Sequence, residues 1–148
     1  MLIEDLLIDC GRPIVIAPES AARNMTGTIV VGWKETPEAA RALAAAMPLL
    51  KLAHRVVLVG VAEDGYAMPQ TLNHLVGQLA WHGIAAESRA ITENATSAAA
   101  RLPIAAADMH ADVFVVGGFG RGPLRKLVFG GVTRSLIETA ELPVFMLH

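Results

Sequence analysis

"TIVVGWKETPEAARALAAAMPLLKLAHRVVLVGVA", residues Thr28 to Ala62, decides the fold. Two β-branched apolar runs, Thr28–Gly32 and Arg55–Ala62, bracket a segment of helical spacing. Neither run alternates. Each is nearly continuous in hydrophobicity, as expected of a strand covered on both faces. Between them Thr36 stands where a helix cap belongs, and Pro37 opens the helix at the one position where a missing N–H costs nothing. Ala39, Ala42, Leu43, Ala46 and Leu50 then fall on one apolar stripe. Strand, helix and strand in this order form a right-handed βαβ unit with two parallel strands.

The same two textures recur on either side. Pro13–Ala17 (PIVIA), Val113–Gly117 (VFVVG) and Val144–Leu147 (VFML) read as further strands, and the more polar Ile84–Ile91 (IAAESRAI) reads as an edge. Pro69 opens a second helix with Leu72, Leu75, Val76 and Leu79 inward and Gly83 as its stop. Thr96 or Ser97 opens a third that runs to about His110. Pro48 and Pro103 lie inside these helical patterns and predict a kink or a local break. The result is a mostly parallel sheet, in which ligands collect at the C-terminal strand ends where strand order reverses.

Composition narrows the partners. The chain has 148 residues, enough for one core, with 53% hydrophobic and 18% charged content. A net charge of −2 argues against a nucleic-acid or acidic-membrane binder. The one cysteine, Cys10, excludes an internal disulfide and a cysteine zinc site, and the five histidines show no metal spacing. Pro48, Lys51 and Arg55 interrupt the apolar stretches before they reach the roughly 20 residues of a membrane helix. The N-terminus has no basic n-region or small-residue cleavage site, so a soluble cytoplasmic protein is expected.

Most of the unusual chemistry lies in "GGFGRGPLRKLVFGGVTR", Gly117 to Arg134, which follows one strand and precedes a helical pattern from Val132. It holds six of the 13 glycines and four of the 12 Lys and Arg residues, and no acid. Gly117, Gly120 and Gly130 are spaced Gly-x2-Gly-x9-Gly, which is neither a Walker A loop nor the GxGxxG turn. Glycines let the backbone approach an anion, so that successive N–H groups converge on it. Gly130, Gly131 and Val132 lead into a helix whose first amides are unpaired at the positive end of the dipole. Arg121, Arg125, Lys126 and Arg134 add positive charge, and a phosphate group is the natural occupant. The alternative is a tight turn with a solvated cationic rim.

This spacing, together with Thr28–Leu50 and the closing "LPVFMLH", resembles the universal stress protein family, over nearly the whole chain from Thr28 to His148. The resemblance implies a Rossmann-like α/β fold: an open, mostly parallel five-stranded sheet of order 3-2-1-4-5 with helices on both faces. It also implies frequent dimerisation and, in one branch, ATP binding. There the glycine loop wraps the phosphates, an acidic residue after the first strand holds adenine or ribose, and the end of the second strand reads the base. Carried over, Gly117, Gly120 and Gly130 match the loop, and Val61 lies at the base-reading strand end. Two residues depart from the pattern. Gly131 replaces a Ser/Thr hydroxyl but keeps its N–H, and Lys34 replaces the acidic residue. An ammonium cannot accept from an adenine amino group or a ribose hydroxyl. Trp33 either stacks on a base or packs beneath the loop, and Lys34 is either an anion ligand or an exposed loop lysine.

Three functions stay open: a regulatory module binding ATP or a related adenine nucleotide, a dimerisation module without nucleotide, and a weak ATPase. The only metal expected is a magnesium ion accompanying nucleotide phosphates. For the third, no nucleophile–base pair is evident; Glu35 and Asp64 lie near strand ends with nothing to orient them.

"LIEDLLIDCGRPIVIAP" (Leu2–Pro18) echoes "LIETAELPVFMLH" (Leu136–His148). Residues 1–18 thus resemble the last helix and strand of an absent upstream domain, joined to a complete domain at 19–148. The expected consequence is an extra strand, Pro13–Ala17, antiparallel to Val144–Leu147 at the strand-5 edge, within the chain or swapped between chains. A homodimer through that edge and the N-terminal extension is expected in both cases.

Overall fold

The apolar runs pair as parallel strands. A computed structural model describes residues 2–20, 24–62, 68–92, 98–118 and 141–148. In chain order the elements are α1 (Leu2–Asp9), β1 (Ile14–Ile16), β2 (Thr28–Trp33), α2 (Pro37–Leu50), β3 (Arg55–Ala62), α3 (Met68–Trp81), β4 (Ala86–Thr92), α4 (Ala98–Asp108), β5 (Val113–Gly117) and β6 (Val144–Leu147). One six-stranded sheet has the order β1-β6-β5-β2-β3-β4. Four pairings, β6-β5, β5-β2, β2-β3 and β3-β4, are parallel. Numbered within the parallel part alone, this is the order 3-2-1-4-5 that the resemblance implies. The polar strand β4 stands at an edge, as its composition requires.

At the other edge β1 runs antiparallel to β6, with Ile14 opposite Met146, Val15 opposite Phe145 and Ile16 opposite Val144. The pairing is within the chain.

Each central strand feeds two cores because its side chains alternate between faces. On one face Ile29, Val31 and Trp33 of β2 join Val56 and Leu58 of β3 beneath α2 and α3. On the other, Val30, Val57, Val59, Phe114 and Met146 meet Leu102 and Ala106 of α4 and Leu7 of α1. Burying a Val, Leu or Phe side chain fully is worth about 1.5–3 kcal/mol. Two-sided burial of the central strands therefore explains why their sequences do not alternate.

Helix ends follow local rules. Thr36 has extended backbone and its Oγ1 accepts from the Ala39 N–H at 3.2 Å, capping α2 ahead of Pro37. Gly83, with φ +77°, follows α3, and His110, with φ 53°, follows α4. The expected break at the prolines does not occur: α2 continues through Pro48 and α4 through Pro103. Pro48 lies in the last turn of α2, and Ala44, whose carbonyl it leaves unpaired, is exposed, so water can take that acceptor.

Candidate functional site

Strand order reverses between β2 and β5. From β2 the chain passes through α2 to β3 on one side, while β5, reached through α4, lies on the other. Gly32 is opposite Val116, so Trp33 and Lys34 leave the sheet beside Gly117 and Gly118. This is the crevice where open α/β sheets hold ligands.

The first glycine of the motif serves packing. An added Cβ on Gly117 would lie 2.5 Å from the Ala39 nitrogen and 2.6 Å from the Glu38 carbonyl carbon. The end of β5 therefore sits directly against the backbone of the first turn of α2, a fit open only to glycine. Gly118 is buried, and its N–H donates to the Leu147 carbonyl at 2.8 Å, so that amide belongs to the sheet. Gly120, Arg121, Gly130, Gly131 and Val132 lie outside the described residues.

Trp33 is 6% exposed and belongs to the core under α2 and α3. Its indole N–H donates to Glu35 Oε1 at 3.2 Å. Lys34 is exposed at the rim, and its carbonyl accepts from the Thr36 N–H at 2.7 Å in a tight turn. Val61 is opposite Ile91 near the C-terminal end of β3. The structure thus brings Lys34, Gly117 and Gly118 to one rim and turns Trp33 inward.

Glu38 escaped the sequence reading. It is 2% exposed in the first turn of α2, and its Oε1 lies 3.3 Å from Arg41 Nη2. A carboxylate in a first turn is favoured by the helix dipole. The signal was present, since Glu38 precedes Ala42 and Ala46 at four-residue steps on the inward stripe. With Pro37 lacking an N–H and the Ala39 N–H taken by Thr36, the start of α2 is a poor anion site.

Among the described residues, the shifted ionisations lie at the opposite end of the sheet. Arg55, the first residue of β3, donates to both carboxylate oxygens of Glu87 on β4, at 2.8 and 3.0 Å. These hydrogen bonds hold the Glu87 carboxyl below its ordinary range and raise the Arg55 guanidinium above its own. Among the described residues no group of three or more His, Cys, Asp or Glu side chains is arranged to hold a metal ion.

At the rim where β5 ends, the exposed Lys34 ammonium is donor chemistry. The neighbouring carboxylate, Glu35, is engaged by the Trp33 indole.

The chain matches the sequence model of the Universal stress protein family over residues 25–148. Among solved structures it is similar to a universal stress protein from Archaeoglobus fulgidus DSM 4304, with TM-score 0.77 and 20% identity, over 97% of this chain and 52% of that one. It thus spans about half the length of that relative. A protein of the same family from Burkholderia pseudomallei is similar with TM-score 0.64 and 25% identity, over 84% of this chain and 97% of that one. A universal stress protein in complex with cAMP is similar with TM-score 0.62 and 20% identity, over 82% of this chain and 96% of that one. No curated protein sequence matches the chain at a significant level. No helix among the described residues is long and apolar enough to cross a membrane.

Proposed function

The chain belongs to the universal stress protein family, and on that premise we propose that it is a stress-response regulatory module that binds an adenine nucleotide, ATP or a relative such as cAMP. The ligand's phosphate would be held by the Gly117–Arg134 segment. One observation carries this reading: the acid-free, glycine-rich segment leaves β5 at the β2/β5 reversal, with exposed Lys34 at the same rim. A structural neighbour in complex with cAMP supports the nucleotide class. Gly120, Arg121, Gly130, Gly131 and Val132 are the residues assigned to the phosphate, with Val61 and Lys34 flanking the rest. A magnesium ion would accompany a di- or triphosphate and share its charge. Trp33 serves as a floor beneath the rim and as the donor that orients Glu35.

The test is calorimetric titration of ATP, cAMP and inorganic phosphate against wild type, Gly120→Val, Gly130→Val and Lys34→Asp. Either valine, by steric exclusion, should abolish binding. Lys34→Asp should improve adenine nucleotides relative to inorganic phosphate. Nucleotide affinity untouched by Gly120→Val refutes the loop as the site, and no heat with any ligand leaves an interaction module of the same fold.

A further inference from the structure

The sheet ends in two outer strands of different character. Within the chain β1 lies on β6, so the outer strands are β1 and β4. β1 has three residues, with Pro13 before it and Pro18 shortly after, and a proline cannot add an N–H to a ladder. β4 has seven residues, Ala86–Thr92, and no proline. Its inner side is paired with β3 along that whole length. Among the described residues no other strand pairs with its outer side, whose N–H and C=O groups are a template for one more strand. Glu87, Arg89 and Ala90 are exposed there.

Charge selects what that strand can be. Glu87 and Arg89 are two residues apart, so both stand on one face of β4, with Ser88 between them on the other. Ser88 faces α3, where its Oγ donates to Asn73 Oδ1 at 3.3 Å. Charges of a single sign at an edge would repel a second copy of it. A Glu followed by an Arg at the second position does the opposite. When two copies of β4 run antiparallel about a two-fold axis at Ser88, Glu87 of each stands opposite Arg89 of the other, and Ala86 opposite Ala90. Both charge pairs are then attractive. Arg55 prepares the site. It donates to both Glu87 oxygens, at 2.8 and 3.0 Å, and fixes the carboxylate while each oxygen keeps a second lone pair for Arg89 of the second copy. On the opposite face α3 packs over β3 and β4. Joined strands lie roughly 4.8 Å apart, which brings the two α3 helices to about the 8–10 Å spacing of packed helices. So close an approach needs small side chains. Gly77 and Ala80 follow Asn73 on the same flank of α3 and are exposed, and nothing lies within 4 Å of a Cβ added at Gly77.

We propose that β4 is a self-pairing edge: a second copy of this chain adds its own β4 antiparallel, centred on Ser88, with two Glu87–Arg89 pairs on one face and the Asn73, Gly77 and Ala80 flanks of α3 meeting on the other. One continuous sheet then runs through both copies. The β2/β5 crevice lies two strands away and stays open in each. The pairing does not rest on the proposed nucleotide site.

The test is sedimentation of the full chain over a series from micromolar to millimolar, where the mass of wild type should double and its β4 amides should exchange more slowly as it does. Arg89→Glu sets carboxylate against carboxylate at both pairs and should weaken the dimer by roughly tenfold or more. Glu87→Arg does the same with two guanidinium groups. An equimolar mixture of these two variants restores opposite charges across the axis and should return to double mass, as a mixed dimer in native mass spectrometry. Gly77→Gln favours the helix but blocks the approach of the α3 flanks, so it should raise the melting temperature of the monomer and abolish the dimer. That variant separates lost pairing from lost folding. If Glu87→Arg fails to fold without its bond to Arg55, Arg89→Glu and Gly77→Gln decide. Wild type that stays monomeric throughout overturns the proposal. So does a dimer that survives Arg89→Glu or Gly77→Gln, or a mixture of folded charge variants that stays monomeric.

Discussion

Replacing Gly117 by alanine should destabilise the domain severely for a change of one methyl group. The added Cβ would lie 2.5 Å from the Ala39 nitrogen, 2.6 Å from the Glu38 carbonyl carbon and 2.8 Å from the Ala39 Cα. All three are backbone atoms, so no side-chain rotation relieves the overlap. Ordinary contact lies near 3.5–4.0 Å, so the first turn of α2 has to retreat by about 1 Å. A gap of that size forfeits a quarter to a half of the dispersion attraction of the atoms lining it. Ala39, Ala42, Leu43, Ala46 and Leu50 are the residues that lose contact. Overpacking usually costs about 1–3 kcal/mol, and a clash with backbone belongs at the top of that range. At roughly 2–4 °C per kcal/mol for a domain of this size, the melting temperature should fall by about 6–12 °C. Gly77 provides the internal control. It lies exposed inside α3 with nothing within 4 Å of an added Cβ, so Gly77→Ala should stabilise by about 0.5–1 kcal/mol. Differential scanning calorimetry of the two variants decides. Gly117→Ala melting within about 2 °C of wild type, or the two variants shifting in the same direction, would refute the assignment of Gly117 to packing.

Asp112 Oδ2 accepts from the Thr28 N–H at 2.7 Å where β2 begins, so Asp112→Ala leaves that donor unpaired. Its expected cost is about 1–3 kcal/mol, read as a lower urea midpoint at unchanged slope, with Asp112→Asn in between; a midpoint equal to wild type counts against the bond. The Arg55–Glu87 pair sets a small pH dependence. Because its folded-state pKa is depressed, Glu87 contributes above its unfolded value, and the contribution is lost as pH falls through the folded value. Melting curves of wild type and Glu87→Gln should therefore differ at neutral pH and converge on acidification below the ordinary carboxylate range; a difference that grows on acidification contradicts the sign.

Much of the architecture was legible because it is local. Continuous Val/Ile runs in β2, β3 and β5, the Thr36–Pro37 helix start and the Gly83 stop each carry their meaning within a few residues. A period of apolar residues reports which faces must be covered, and that was enough to reach a parallel sheet with helices on both sides. The acid-free glycine segment was equally legible, as composition. Contacts between residues far apart in sequence were not. Gly117 was legible as the first glycine of a motif, and only the approach of α2 to the end of β5 shows that it also packs there. Trp33 could have faced a ligand or the core, and the placement of α2 and α3 over one face turned it inward. Glu38 is a polar letter on an apolar stripe, and its burial depends on where α2 settles. The echo between the two ends of the chain suggested an antiparallel strand, but whether that strand closes its own chain or another's depends on the path from Ile16 to Thr28. Patterns in a sequence record the period and polarity an element requires. Which partner satisfies it is settled by packing across the whole fold, where backbone separations of a few ångströms select glycine and exclude every other residue.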